Sequence, residues 1–115
     1  MRWTNKGSNR GNHRFKAEGY SWDSKKEYAR YQELKLLEKS GQIQNLIVKP
    51  KFELVINGVK VGKYTPDFQY EEINYTGTFF EAPLVEDVKG YQEDLFKFRL
   101  KVFKALYPEI EVRLT

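Results

Sequence analysis

Residues 46–68, LIVKPKFELVINGVKVGKYTPDF, decide the fold class. From Leu46 to Ile56 the run is rich in β-branched and aromatic residues, and Phe52, Leu54 and Ile56 alternate with the period of a strand. Asn57-Gly58 then stands between Ile56 and Val59. This is a two-residue hairpin signal, because both residues accept the positive φ that a type I′ turn requires. A second strand follows through Val61, Tyr64 and Phe68. The centre of the chain is therefore a β-hairpin, and what flanks it sets the architecture.

On the N-terminal side, Ser24 to about Lys39 reads as a helix stopped by Ser40-Gly41. At about 100° per residue, Tyr28, Tyr31, Leu34 and Leu37 share one face, which suits packing against a sheet. On the C-terminal side, a polar loop runs from about Glu71 to Thr78. Phe79 to Lys89 reads as a third strand, entered or interrupted at Pro83 and ended by Gly90. Tyr91 to about Tyr107 is a second helix, closed by Pro108. Its apolar arc combines the stripe Tyr91, Leu95, Phe98, Val102 and Leu106 with the stripe Phe96, Leu100, Phe103 and Tyr107. An arc that wide is expected to be covered on more than one side, within the domain or across a two-fold interface. Ile110, Val112 and Leu114 alternate with Glu109, Glu111 and Arg113 as a short last strand. The order is helix, three strands, helix, strand: an α/β fold in one domain over residues 19–115.

The composition narrows the chemistry. The chain has 115 residues, no cysteine and one histidine, His13. A disulfide framework, a thiolate zinc site and a cysteine nucleophile are excluded, and a Ser-His-Asp triad or a multi-histidine zinc site is disfavoured. Catalysis is left to carboxylates, lysines and a hard metal. No apolar run approaches the roughly 20 residues of a membrane span, and the start lacks the apolar centre of a signal peptide, so the expectation is a cytoplasmic protein with no membrane partner. The formal charge of +4 resides in residues 1–18, where Arg2, Lys6, Arg10, Arg14 and Lys16 face Glu18 alone. Rich in Gly, Asn and Arg, this segment reads as a flexible basic arm, suited either to a phosphate backbone or simply to solubility.

Three features carry candidate chemistry: Pro66-Asp67, Asp87-Val88-Lys89 and Glu27. Strand residues two apart share a face, roughly 6–7 Å apart, so Asp87 and Lys89 project together while Val88 points into the opposite layer. If the second and third strands pair, Asp67 lies across from Asp87. Two carboxylates that close stay ionised only when a cation holds them. Hard oxygen donors with room for water suit Mg²⁺, with the Val88 carbonyl as a further ligand. Such a site fits phosphodiester hydrolysis, in which Lys89 orients water or stabilises the transition state. Glu27 lies on the sheet-facing arc of the first helix, where a carboxylate is costly unless paired or metal-bound. Ser24-Lys25-Lys26-Glu27 is equally a capping box.

These residues resemble the signature of the PD-(D/E)XK nuclease superfamily, with Pro66-Asp67 and Asp87-Val88-Lys89 as the motif and Glu27 as the acidic residue of the preceding helix. More narrowly, Ser24-Lys25-Lys26-Glu27, Leu34-Lys35-Leu36-Leu37, Lys49-Pro50-Lys51-Phe52, Tyr64-Thr65-Pro66-Asp67-Phe68 and Glu86-Asp87-Val88-Lys89-Gly90 resemble a family of small phage and prophage proteins whose function is unknown. That family is similar to archaeal-type and phage Holliday junction resolvases. The resemblance covers about residues 20–108. It implies a restriction-endonuclease-like αβββαβ core, a central mixed sheet flanked by helices. It also implies a homodimer that cleaves branched or duplex DNA with Mg²⁺, for which Mn²⁺ substitutes, and that needs no small-molecule cofactor. Asp67 and Asp87 take the role of metal ligands, Glu27 that of a direct or water-mediated ligand, and Lys89 that of the catalytic lysine. The superfamily often has Glu where this chain has Asp87. Glu86 should face the other way and is not assigned to the site.

The leading expectation is a Holliday junction resolvase encoded by a phage or prophage and acting in the bacterial cytoplasm. The alternatives are the same chemistry on a flap, nick or duplex, or a non-catalytic module that binds branched DNA. Arg10 and Arg14 of the arm, Lys25 and Lys26 beside Glu27, and Lys97 and Lys101 on the second helix are candidate DNA contacts. Each of them also reads as an ordinary solvated cation.

Overall fold

The computed structural model describes residues 14–88 and 93–115. The chain runs β1 (Phe15–Ala17), β2 (Tyr20–Trp22), α1 (Lys25–Lys39), β3 (Ile43–Val48), β4 (Phe52–Ile56), β5 (Val59–Tyr64), β6 (Phe68–Glu72), β7 (Leu84–Asp87), α2 (Asp94–Leu106) and β8 (Glu111–Leu114). The main sheet has the order β3-β6-β7-β8, while β1-β2 and β4-β5 are separate two-stranded ribbons. In the main sheet β3 pairs with β6 and β6 with β7 antiparallel, whereas β8 joins β7 in parallel. A parallel pair needs a long crossover, and α2 supplies it. The protein is a small α/β domain built on a mixed sheet with two helices.

Asn57-Gly58 makes the expected turn, with φ of 51° and 79°, and joins β4 to β5. The strands on either side are shorter than the sequence suggests. The run Leu46 to Ile56 breaks at Lys49-Pro50-Lys51, where Lys49 takes a φ of 54° and Pro50 lacks a ladder N–H. The run Val61 to Phe68 breaks at Thr65-Pro66-Asp67. The β4-β5 hairpin leaves the main sheet at one proline and returns to it at the other. The expected third strand is likewise confined to Leu84–Asp87, after Pro83, with Phe79 making only an isolated bridge to Ile73. Glu71 and Glu72, expected in a loop, belong to β6.

Residues 14–18, expected to lie in the arm, belong to the folded domain. Phe15 and Ala17 pack on the core, and Glu18-Gly19 turns the chain into β2 with two positive φ angles. The reason is Trp22, which is wholly buried: its indole N–H donates to the Ala17 carbonyl at 3.0 Å, and its ring lies 4.8 Å from Tyr31 and 6.2 Å from Phe68. Burying a large apolar side chain stabilises a fold by roughly 1.5–3 kcal/mol, and the buried Trp22 brings Phe15 and Ala17 onto the core despite the polar composition of the segment. Residues 1–13 lie outside the described residues.

Two apolar layers cover the sheet. One holds Trp22, Tyr31, Leu34, Ile43, Phe68, Tyr70 and Leu84 beneath α1, and the other holds Leu54, Tyr64, Val85, Leu100 and Phe103 between the β4-β5 hairpin and α2. Leu84 and Val85 therefore face opposite layers, and the alternation carries on to Glu86 and Asp87. In α2, Leu100 and Phe103 are buried as expected. Leu95 and Phe98, expected to be covered, are 57% and 64% exposed.

Candidate active site

The site begins with strand register. Phe68 of β6 stands opposite Glu86 of β7, so the preceding residue, Asp67, comes beside Asp87. The Asp67 amide donates to Asp87 Oδ1 at 3.1 Å, and the Val88 amide donates to Asp67 Oδ2 at 2.8 Å. Each aspartate thus holds the backbone at the other's strand end. Asp67 is 7% exposed and Asp87 is wholly buried. The Tyr64 hydroxyl, at the end of β5, donates to Asp87 Oδ2. Burial, with the Asp87 charge beside it, raises the Tyr64 pKa, so the phenol keeps the proton it donates.

Glu27 reaches the same place from α1. The Ser24 hydroxyl caps the helix by accepting from the Glu27 amide at 3.1 Å, and Glu27 Oε1 accepts from the Asp23 amide at 3.0 Å. The Ser24 half of the expected capping box is formed, while Glu27 reaches back one residue further, to the amide that precedes the N-cap. Glu27 is also buried and turned toward the sheet, where it meets both Asp67 and Lys49. Lys49 Nζ lies 3.3 Å from Glu27 Oε1, and the Lys49 amide donates to the Asp67 carbonyl at 2.9 Å. The kink that ends β3 thus delivers a cation to the acidic cluster.

Asp67 shows the electrostatic consequence. Burial raises its pKa most, and the hydrogen bond with Glu27 adds to this; the Val88 amide opposes them, and the Glu27 and Asp87 charges raise it further, to about 8. Asp67 therefore holds its proton more tightly than an ordinary carboxyl group does, and a cation at this place would relieve the same crowding of negative charge. Among the described residues no group of three or more acidic or histidine side chains stands ready as a metal cage. The donors present are nevertheless hard carboxylate oxygens, the ligand type that Mg²⁺ takes.

Glu86 lies on the α1 face, opposite Asp87, as its place in the strand requires. It is wholly buried, with Arg30 Nε at 2.6 Å, Arg30 Nη2 at 3.1 Å, the Tyr70 hydroxyl at 2.5 Å and the Thr115 hydroxyl at 2.9 Å. Burial pushes its pKa up, but the Arg30, Tyr70 and Thr115 donors outweigh burial and hold it below the ordinary value. This network fastens α1 to the strand that carries Asp87.

Of the residues expected at the site, Glu27, Asp67 and Asp87 come together. Val88 is half-buried, with its side chain on the α1 core and its amide on Asp67. Lys89 lies outside the described residues, as does Arg10. Arg14 pairs with Asp23 at 2.9 Å, Lys26 Nζ lies 3.5 Å from the Thr115 carbonyl, and Lys25, Lys97 and Lys101 are exposed. Tyr64, Lys49 and Arg30 escaped the sequence reading as site residues. Tyr64 and Lys49 were within reach, because each sits in a proline-marked stretch, Lys49-Pro50 or Tyr64-Thr65-Pro66-Asp67.

Residues 8–115 match a family model described as Protein of unknown function (DUF1064). No curated protein and no solved structure matches.

Proposed function

The chain belongs to the DUF1064 family, and we propose that it is a Mg²⁺-dependent, structure-selective DNA endonuclease whose preferred substrate is the four-way junction. The observation that carries this reading is the meeting of Asp67 and Asp87 at paired strand ends with Glu27 from α1 beside them. Burying three acidic side chains in one corner costs free energy that Lys49, the Tyr64 hydroxyl and the strand-end amides offset in part, and a bound cation would offset it further. Within the main sheet the order α1, β3, β6, β7, α2, β8 supports a restriction-endonuclease-like core, with the β4-β5 hairpin as an insertion.

In this reading Asp67, Asp87 and Glu27 hold the metal, together with the Val88 carbonyl. Magnesium, when bound, lowers the pKa of a water and offsets charge on the phosphate. Tyr64 fixes the Asp87 carboxylate, and Lys49 balances Glu27. Lys89, two residues beyond Asp87, orients the attacking water or stabilises the pentacovalent phosphate. Resolving a junction takes two opposed nicks, so the working form is a homodimer. Its setting is the bacterial cytoplasm, and a phage or prophage is its source.

A non-catalytic module for branched DNA is the second reading. It is favoured by Glu27 already having Lys49 and the Asp23 amide as partners. Cleavage assays on four-way, flap and linear substrates, each with wild type and Asp87→Asn, separate the readings. Asp87-dependent cutting of the junction above the other two is expected; equal binding with no cutting of any of them overturns the nuclease reading.

A further inference from the structure

Between the β4-β5 hairpin and α2 lies a cleft of about 490 Å³. Its apolar wall includes Val61, Leu95, Phe96 and Phe98, of which Val61, Leu95 and Phe98 are more than half exposed. Lys63 and Arg99 also line it, and neither side chain has an ion pair or hydrogen bond among the described residues. Among the described residues no carboxylate lines the cleft. The floor ends on Tyr64, whose hydroxyl is bonded to Asp87, so the cleft adjoins the acidic corner through one side chain.

An aromatic and aliphatic wall beside two unpaired cations fits an occupant with a flat apolar face and a negative charge. A second copy of the chain fits less well, since an isologous contact sets this patch against itself and brings Lys63 and Arg99 near their own counterparts. We infer that the cleft takes one unpaired nucleotide of the DNA, its base stacked on Phe98 and its phosphate on Lys63 and Arg99. This deepens the nuclease reading by naming what the enzyme senses in a branched substrate, an unstacked nucleotide next to the bond to be cut. Stacking on an exposed aromatic serves any base, so the cleft reads structure and not sequence.

The test is binding without catalysis. Wild-type protein in EDTA is titrated into a labelled duplex containing one unpaired 2-aminopurine nucleotide, and into the fully paired duplex of equal length. Wild type is expected to favour the unpaired probe by about tenfold or more and to quench the 2-aminopurine. Phe98→Ala should lose the preference and the quench while Phe98→Tyr keeps both. Arg99→Gln should weaken binding to the unpaired probe and reduce its salt dependence. Equal affinity for the two probes, or a preference unaltered in Phe98→Ala, overturns the inference. So does sedimentation in which Phe98→Ala turns a dimer into a monomer, which would assign the cleft to a second copy. Because no metal is present, these outcomes stand apart from the nuclease reading, which is tested separately by cleavage with wild type and Asp87→Asn.

Discussion

The amide of Asp67 donates to Asp87 Oδ1 at 3.1 Å, while the carboxylate of Asp67 is held by the amide that follows Asp87. The two residues are 20 positions apart in the chain. Their bonds form only when β6 and β7 are in register, so the strand pairing that folds the sheet also assembles the acidic corner. A one-residue slip would turn Asp87 to the opposite face.

Asp67→Asn is expected to change how stability depends on pH. The folded-state pKa of Asp67 is raised from 3.8 to about 8, so between those values the folded protein binds the proton and the unfolded chain releases it. Stability from this group is therefore full at low pH and is lost as pH rises through about 8. Without divalent cation, the wild-type melting temperature should fall between about pH 4 and pH 8, and the Asn variant should flatten that fall. Thermal denaturation across the range checks it.

Glu86 titrates with the opposite sign. Its pKa is lowered in the fold from 4.5, so its contribution is present above that value and is lost as pH falls below it. Arg30→Met leaves a buried carboxylate without its cation and should cost about 3–5 kcal/mol. Arg30→Met combined with Glu86→Gln should recover much of that loss. Urea denaturation of wild type, Arg30→Met, Glu86→Gln and the double variant closes the cycle and measures the coupling.

Tyr64→Phe removes a donor from Asp87 and little else, because the ring stays packed 4.8 Å from Phe103. The variant should lose about 1–3 kcal/mol of stability. A carboxylate ligand freed of its orienting partner should also hold Mn²⁺ about 10–100-fold more weakly. Calorimetric titration reads the second effect independently of cleavage.

The parts of this fold that the sequence discloses are those with local signals. Asn57-Gly58 fixes one hairpin, Ser24 and Glu27 start α1, and the alternation from Ile110 to Leu114 marks β8. The corners at Pro50 and Pro66 are hidden because a missing N–H marks a break only once the ladder on each side is known. The β1-β2 ribbon is hidden for a different reason: Trp22 draws it in by tertiary packing, against the composition of its neighbours. At the site, Asp67, Asp87 and Glu27 are legible through motif and helical phase. Arg30 is not, since its partner Glu86 lies 56 residues away and nothing local announces the pair.

The most direct test is strand-resolved cleavage of a labelled immobile four-way junction by purified protein in Mg²⁺ and in EDTA, beside Asp87→Asn. Paired symmetric nicks that need both the metal and Asp87 are the expected result. Junction cleavage that persists in EDTA, or that Asp87→Asn performs as well as wild type, would contradict the account.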